Sequence, residues 1–194
     1  MASPHSRRLF LRNAAFAGAG VYLAEWTFGC KDQPKPHPAP HAVAPRTAPL
    51  SSAHRSFTDA EFLALTAAVD RVLPRDASPG GVDAGVPESI DRAFAEPALH
   101  RVRDAFIHGL AALERACHRA HRVSFAHATP AQRDALLERF SKMSPSTGEA
   151  HFFTTLLTFS LEGYLGDPIH GGNKDRVGWA LVGFDPGPPF PMAH

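Results

Sequence analysis

The stretch from residue 149 to 164 is apolar on almost every side of a helix, and it restricts the possible folds more than any other feature of the chain. Its large apolar side chains are Phe152, Phe153, Leu156, Leu157, Phe159, Leu161 and Tyr164. A helix with almost no polar face must lie at the centre of a bundle or be covered by another protein. The sequence therefore predicts a helical domain. Because that domain is small, we expect a partner chain to cover part of this helix.

Four further helices are predicted from capping signals and from apolar residues at helical spacing. Their predicted spans are 59–73, 87–94, 97–122 and 130–140. Thr58 and Glu61 have the spacing of a capping box at the start of the first of these helices, and Thr129 with Gln132 repeats that spacing at the last. The predicted fold class is therefore all-α, with about five helices and a glycine-rich C-terminal loop.

Residues 1–55 are predicted to lie outside this domain. The part from residue 31 to 55 is rich in Pro, Ala and His and contains almost no large apolar side chain. Such a segment cannot bury enough surface to offset the entropy lost on ordering, which predicts a disordered linker. Residues 56–194 are then long enough for one domain with its own core.

Residues 1–30 carry the pattern of a twin-arginine export signal. The pair Arg7 and Arg8 is followed by Phe10 and Leu11, and then by an apolar stretch over residues 14–24. That stretch is shorter than the roughly 20 residues that span a bilayer. We therefore expect recognition by the twin-arginine translocon and a location in the periplasm or cell envelope, attached to the inner membrane. The alternative is an ordinary basic N-terminus.

Cys30 follows the apolar stretch at the place where a lipoprotein signal has its acylated cysteine. Gly29 fits such a signal, whereas Thr27 and Phe28 depart from it. Lipidation at Cys30 would tether the protein to the membrane, since two acyl chains give a stable anchor. Two alternatives stay open, namely an uncleaved signal that serves as the anchor, and cleavage nearby that discards Cys30.

The charge balance narrows the classes of partner. From residue 56 onward the chain has thirteen Lys or Arg against seventeen Asp or Glu, and this mildly acidic balance argues against a nucleic-acid partner. Basic side chains are concentrated near the end of the helix predicted over 97–122, where the helix dipole favours positive charge. We therefore predict a solvated face formed by Arg115, His118, Arg119 and Arg122, and the alternative is a site for an anion or a phospholipid.

Motifs of a redox cofactor site are missing from the sequence. There is no Rossmann glycine fingerprint, no Cys-x-x-Cys-His motif and too few cysteines for an iron–sulfur cluster. Cys117 lies on an apolar helix face, where a thiol is usually a core side chain. His118, His121 and His127 have metal-like spacing, but twelve histidines produce such spacings freely. The sequence thus predicts no catalytic, cofactor-binding or metal-binding residue in this chain.

Glycine and aromatic residues recur together after residue 162, where the helical periodicity ends. The recurring groups are Gly163-Tyr164, Asp167-Pro168, Gly171-Gly172-Asn173, Gly178-Trp179 and Gly183-Phe184. Glycine permits left-handed backbone and close approach, which predicts a loop that packs either on its own domain or on a partner. Trp179 and Phe184 suit a core and an interface equally well.

This C-terminal pattern resembles the signature of the gluconate 2-dehydrogenase subunit 3 family, the small subunits of membrane-associated, FAD-dependent sugar and polyol dehydrogenases. The resemblance extends to the export signal and to the helical segment from Phe57 onward. It implies an accessory subunit that binds, helps to mature and co-exports a large flavoprotein dehydrogenase. It also implies that FAD, and any haem c or iron–sulfur cluster, belongs to partner subunits such as a multihaem cytochrome c.

We therefore predict that the C-terminal motif, together with two phenylalanines of the apolar helix, forms either a partner interface or a structural element. These residues are Phe152, Phe153, Tyr164, Asp167, Pro168, Gly171, Gly172, Asn173, Gly178, Trp179 and Phe184. A second hypothesis from a different class stays open, namely a free-standing envelope lipoprotein or binding module with the same fold and no oxidoreductase partner.

Overall fold

A computed structural model describes residues 54–187, and every regular element in that part of the chain is helical. The α-helices are α1 (Asp59–Val72), α2 (Val86–Phe94), α3 (His100–His121), α4 (Pro130–Ser141), α5 (Gly148–Leu165) and α6 (Val177–Val182). Short 3-10 turns lie at Pro97–Leu99, Phe125–His127, Pro168–His170 and Lys174–Arg176. The predicted all-α fold class is confirmed. The predicted signal, Cys30 and the linker as far as residue 53 lie outside the described residues.

The capping signals begin two helices at the predicted positions. At α1 the Thr58 side chain accepts a hydrogen bond from the Glu61 amide at 3.3 Å, and the Glu61 carboxylate accepts one from the Thr58 amide at 2.8 Å. At α4 the same reciprocal pair joins Thr129 and Gln132. Each box satisfies backbone N–H groups that the first helical turn leaves without a partner.

Helix α5 is the central element of the bundle. It contacts α1, α2, α3, α4 and α6. The sequence describes this helix as apolar on almost every side, and its one exposed stripe carries His151, Thr154, Thr158 and Glu162. The other helices of this chain therefore provide most of the cover for its apolar side chains.

Aromatic rings fill the core on both sides of α5. The centroid of Phe106 on α3 lies 5.2 Å from that of Phe94 on α2 and 4.9 Å from that of Phe152 on α5. Gly109 allows α3 to approach closely enough for these contacts, since a Cβ at this position would overlap the Phe152 side chain. Edge and tilted ring pairs of this kind add stability beyond the apolar area that they bury.

Residues 54–56 are held against the domain, although the sequence assigned residues 54 and 55 to the linker. The buried Asp91 carboxylate accepts hydrogen bonds from the Arg55 amide at 2.9 Å and the Ser56 amide at 2.8 Å. The ring of His54 stacks on Phe62 with centroids 3.8 Å apart. Residues 54 and 55 thus contact the helical domain, although the sequence places them in the linker.

The C-terminal segment contains the helix α6 where the sequence predicted only a loop. A glycine near each end of this helix prevented its recognition from the sequence, but the two glycines have different roles. Gly178 is buried against the carbonyl of Tyr164, whereas Gly183 ends the helix with a φ of +69°. None of the helices within residues 54–187 combines the length and apolarity that crossing a membrane requires.

Candidate interaction site at the C-terminal motif

Asn173 is the organising residue of the C-terminal motif. Its side chain is fully buried and bonds at both ends, since Nδ2 donates to the Gly166 carbonyl at 2.8 Å and Oδ1 accepts from the Gly178 amide at 2.8 Å. Its own amide donates to the Gly163 carbonyl at 2.7 Å. One side chain therefore fixes the end of α5, the following turn and the start of α6 relative to one another.

Two glycines of the motif lie against backbone carbonyls. A Cβ at Gly172 would overlap the Gly163 carbonyl, and a Cβ at Gly178 would overlap the Tyr164 carbonyl. Both glycines are buried. The fold requires glycine at these two positions, because the C-terminal segment packs closely on the C-terminal end of α5.

The segment from residue 171 to 176 has an unusual backbone. Gly171, Asn173, Asp175 and Arg176 all have positive φ, with values of +92°, +46°, +57° and +57°. Left-handed backbone is uncommon for residues other than glycine, and most of all for a long side chain such as arginine. Strain of this kind persists only where the surrounding contacts enforce it, and it is frequent at functional sites.

Tyr164 and Lys174 connect the motif to the glycine- and proline-rich loop that precedes α2. The buried Tyr164 hydroxyl donates to the Pro79 carbonyl at 2.8 Å, and the Lys174 amide donates to the Ala84 carbonyl at 3.0 Å. The two hydrogen bonds join segments that are about 90 residues apart in sequence. The bond from the Tyr164 hydroxyl explains why Tyr164 is a structural residue rather than a contact for another protein.

Trp179 and Phe184 form an exposed aromatic edge on this frame. The indole Nε1 of Trp179 donates to the Leu165 carbonyl at 2.7 Å, and the ring is half-buried. The Phe184 ring packs edge-on against it with centroids 5.2 Å apart and remains 53% exposed. Val182 beside it is 57% exposed, and the Arg176 guanidinium lies 5.9 Å from the indole centroid. We call these four residues the aromatic edge.

An open groove of about 510 Å³ lies where α2 meets the C-terminal end of α5. Its wall includes the half-buried Phe159, the exposed Ile169 and the charged side chains of Arg92 and Glu162. Partial burial of the Glu162 carboxylate raises its pKa. Glu96 also lines the groove, which thus combines apolar contacts with charges of both signs.

The structure divides the predicted site residues into two sets. Phe152, Tyr164, Gly172, Asn173 and Gly178 are buried and hold the motif together. The outward-facing set consists of Phe184, Trp179, Phe153, Asp167, Pro168 and Gly171, which are exposed or half-exposed.

Two outward-facing residues of the motif have local structural roles as well. The Asp167 carboxylate accepts the Ile169 amide at 3.0 Å and caps the 3-10 turn at Pro168. Gly171 faces the Arg92 guanidinium, which a Cβ would overlap. Sequence reasoning missed Arg176, Val182 and Ile169, because only the tertiary structure reveals that their side chains are exposed beside the motif residues.

The other candidate groups lie elsewhere in the domain. Burial raises the pKa of the Cys117 thiol, and the nearby Glu114 carboxylate adds to this effect. His127 pairs with Ser124 at 2.6 Å. Within residues 54–187, no group of three or more His, Cys, Asp or Glu side chains is arranged to hold a metal ion.

Comparison with known families agrees with this architecture. The family model described as gluconate 2-dehydrogenase subunit 3 matches residues 59–187, from the first residue of α1 to the end of the described chain. The chain belongs to the gluconate 2-dehydrogenase subunit 3 family. Searches of the curated proteins and of the solved structures gave no significant match.

The match covers both parts of the subunit 3 domain, the helical bundle and the C-terminal motif. The motif is therefore integral to the fold of this subunit 3 chain, and the aromatic edge is one of the parts of it that face outward.

Proposed function

We propose that this subunit 3 chain is a non-catalytic subunit that binds a large FAD-dependent dehydrogenase of the GMC type. The family name describes a subunit of gluconate 2-dehydrogenase, and membership implies association with the other subunits of such a complex. In this proposal the large subunit oxidises the sugar, polyol or gluconate. The small subunit helps it to mature and supplies the export signal.

The aromatic edge is the observation that supports partner binding most directly. Phe184 and Val182 are both more than half exposed, although each is a large apolar side chain. Aromatic side chains held on a fixed frame lose little conformational entropy on binding and are frequent anchors of interfaces. The bonds of Asn173 and Trp179 provide that frame.

In this proposal the cofactors of the complex lie in the partner subunits. FAD belongs to the large subunit, and haem c or an iron–sulfur cluster belongs to an electron-accepting subunit such as a multihaem cytochrome c. The twin-arginine pair Arg7-Arg8 directs the folded complex to the periplasmic side of the inner membrane. Cys30 provides the attachment if it is acylated.

Co-purification with the large flavoprotein tests the proposal. The full chain carrying an affinity tag is expressed in its native host, and the captured material is assayed for flavin absorbance. We expect Phe184→Ala combined with Val182→Ala to lower the captured flavin at least about tenfold, because an interface anchor contributes more than 1 kcal/mol.

Leu63→Ala is the matched control for this experiment. Leu63 is 56% exposed, close to the 53% of Phe184, but it lies on α1. Its replacement should leave the captured flavin unchanged. If the wild-type chain captures no flavoprotein, the free-standing envelope module becomes the better hypothesis. If capture is normal in the double variant, binding occurs without the aromatic edge.

A further inference from the structure

Helix α3 carries a line of basic side chains along its exposed face. Arg101, His108 and Arg115 are spaced by seven residues, and Arg119 follows one turn after Arg115. Residues at these spacings project from the same side of a helix. We call Arg101, His108, Arg115, Arg119 and Arg122 the α3 basic stripe, and all five are exposed. Arg122 follows the last residue of the helix with a φ of +61°.

The arginines of this stripe have no acidic partner within residues 54–187. Elsewhere in the domain, Arg71 is paired with Asp134 at 2.7 Å and Arg75 with Asp83. The acidic side chain on the exposed face of α3, Asp104, is held by the neighbouring Arg103 at 2.9 Å. The stripe therefore keeps its positive charge uncompensated in a domain whose overall balance is acidic.

The helix dipole accounts for only one end of the stripe. Positive charge is favoured in the last turn of a helix, which explains Arg119 and Arg122. Arg101 lies in the first turn of α3, where the dipole disfavours a cation and where no acidic residue is present. The stripe continues over the whole helix, about 33 Å at 1.5 Å per residue, so a cause other than the dipole is needed.

We propose that the α3 basic stripe docks on the anionic phospholipid surface of the membrane. The chemistry that it recognises is that of the lipid phosphate groups, to which arginine donates charge-assisted hydrogen bonds. A straight helix with a single line of arginines matches an extended flat surface of negative charge. The exposed side chains on this face between Arg101 and Arg115 include Asp104, Ala105 and His108. All three are shorter than arginine, so the arginines project beyond them.

The N-terminal sequence favours a membrane over an acidic protein as the occupant. The apolar stretch over residues 14–24 and Cys30 both offer membrane attachment, and His54 lies 24 positions after Cys30. A chain of that length spans at most about 75 Å in the extended proline conformation. An attached protein would therefore stay close to the lipid surface, where a weak electrostatic contact becomes effective because its local concentration is high.

Binding should depend strongly on lipid charge and on salt. Each arginine near an anionic surface contributes roughly fivefold to partitioning, and the contribution decays within a Debye length. This contact does not depend on the proposed dehydrogenase partner. It adds a second point of attachment beside the N-terminal segment.

Vesicle sedimentation of the full chain tests the inference. The wild type and the variant Arg101→Gln, Arg115→Gln, Arg119→Gln are mixed with vesicles made of equal parts phosphatidylglycerol and phosphatidylcholine, and separately with phosphatidylcholine alone. The N-terminal segment is the same in both proteins, so their difference reports on the stripe. We expect the variant to bind the anionic vesicles at least about tenfold more weakly than the wild type. Raised salt should reduce that difference.

The control removes the same number of charges from other exposed positions, with Arg139→Gln, Lys142→Gln and Lys174→Gln. We expect it to bind within about threefold of the wild type, because these side chains lie outside the stripe. Equal loss in both variants, or no loss in either, would overturn the proposal. If the stripe variant binds vesicles normally and instead loses the captured flavoprotein, the stripe is a protein-docking surface and the membrane proposal is wrong.

Discussion

Asn173 shows how one buried polar side chain organises the C-terminal motif. It is fully buried, yet its amide is satisfied at both ends by the Gly166 carbonyl and the Gly178 amide. Asparagine also tolerates the left-handed backbone, which this position adopts with a φ of +46°. A single residue type thus meets a hydrogen-bonding requirement and a backbone requirement together.

Replacing Asn173 by alanine should destabilise the full chain by about 2–4 kcal/mol. The change leaves the Gly166 carbonyl and the Gly178 amide buried without their partner, and each such group costs about 1–3 kcal/mol. Urea unfolding followed by circular dichroism measures the loss. Asn173→Gly is the control for backbone strain, and it should be less destabilising than the alanine variant by about 1 kcal/mol. An alanine variant as stable as the wild type would contradict this role.

Glu162 gives a pH-dependent prediction. Burial raises the pKa of its carboxyl above the ordinary value, so the folded state binds the proton more readily than the unfolded state does. Ionisation of Glu162 therefore costs stability at neutral pH, and this cost disappears below the ordinary carboxyl pKa of about 4.3. Glu162→Gln should raise the free energy of unfolding at about pH 7, by less than about 1 kcal/mol because the side chain is solvent-screened.

The same measurement at about pH 3 distinguishes this origin from a change in packing. Both proteins then have an uncharged side chain at residue 162, and the difference in stability should vanish. A difference of equal size at both pH values would show that the glutamine acts through a contact rather than through charge.

At the scale of the helices, the contact between α3 and α5 depends on the absence of a side chain at Gly109. A Cβ there would overlap Phe152, the ring that also packs on Phe106 and Phe140. Gly109→Ala should therefore lower the free energy of unfolding by about 1–3 kcal/mol, even though alanine is the better helix former.

Gly148→Ala is the matched control for Gly109→Ala. Gly148 is the first residue of α5, and no atom lies within 4 Å of an added Cβ. The free energy of unfolding of the Gly148→Ala variant should stay within about 0.5 kcal/mol of the wild type. If urea unfolding shows that the two variants lose the same free energy of unfolding, helix packing at Gly109 is not the cause of the loss.

Most helices could be predicted from the sequence because their signals are local. Thr58 and Thr129 mark the starts of α1 and α4 within one helical turn, and each apolar stripe repeats over a few turns. The helix α6 could not be predicted in this way. Gly178 looks like a helix breaker in sequence, and only the Tyr164 carbonyl packed against it explains why glycine is present.

For the whole molecule, the export signal links this chain to the fate of its proposed partner. Replacing Arg7 and Arg8 by lysine should leave both this protein and the large flavoprotein in the cytoplasm, because the partner has no other signal in this proposal. Fractionation followed by flavin and immunoblot assays measures the distribution. Continued export of the flavoprotein with the lysine variant would contradict the carrier role.

The sequence by itself determined the all-α class, five helix positions and the family resemblance, because capping, periodicity and short motifs depend on neighbouring residues. It did not determine which motif residues face outward. Tyr164 reaches Pro79 and Asn173 reaches Gly178, so the tertiary structure makes these residues internal and leaves Phe184 exposed. The tertiary structure also showed that other helices of the same chain cover α5. Such distinctions depend on contacts between distant segments, and neither composition nor spacing records them.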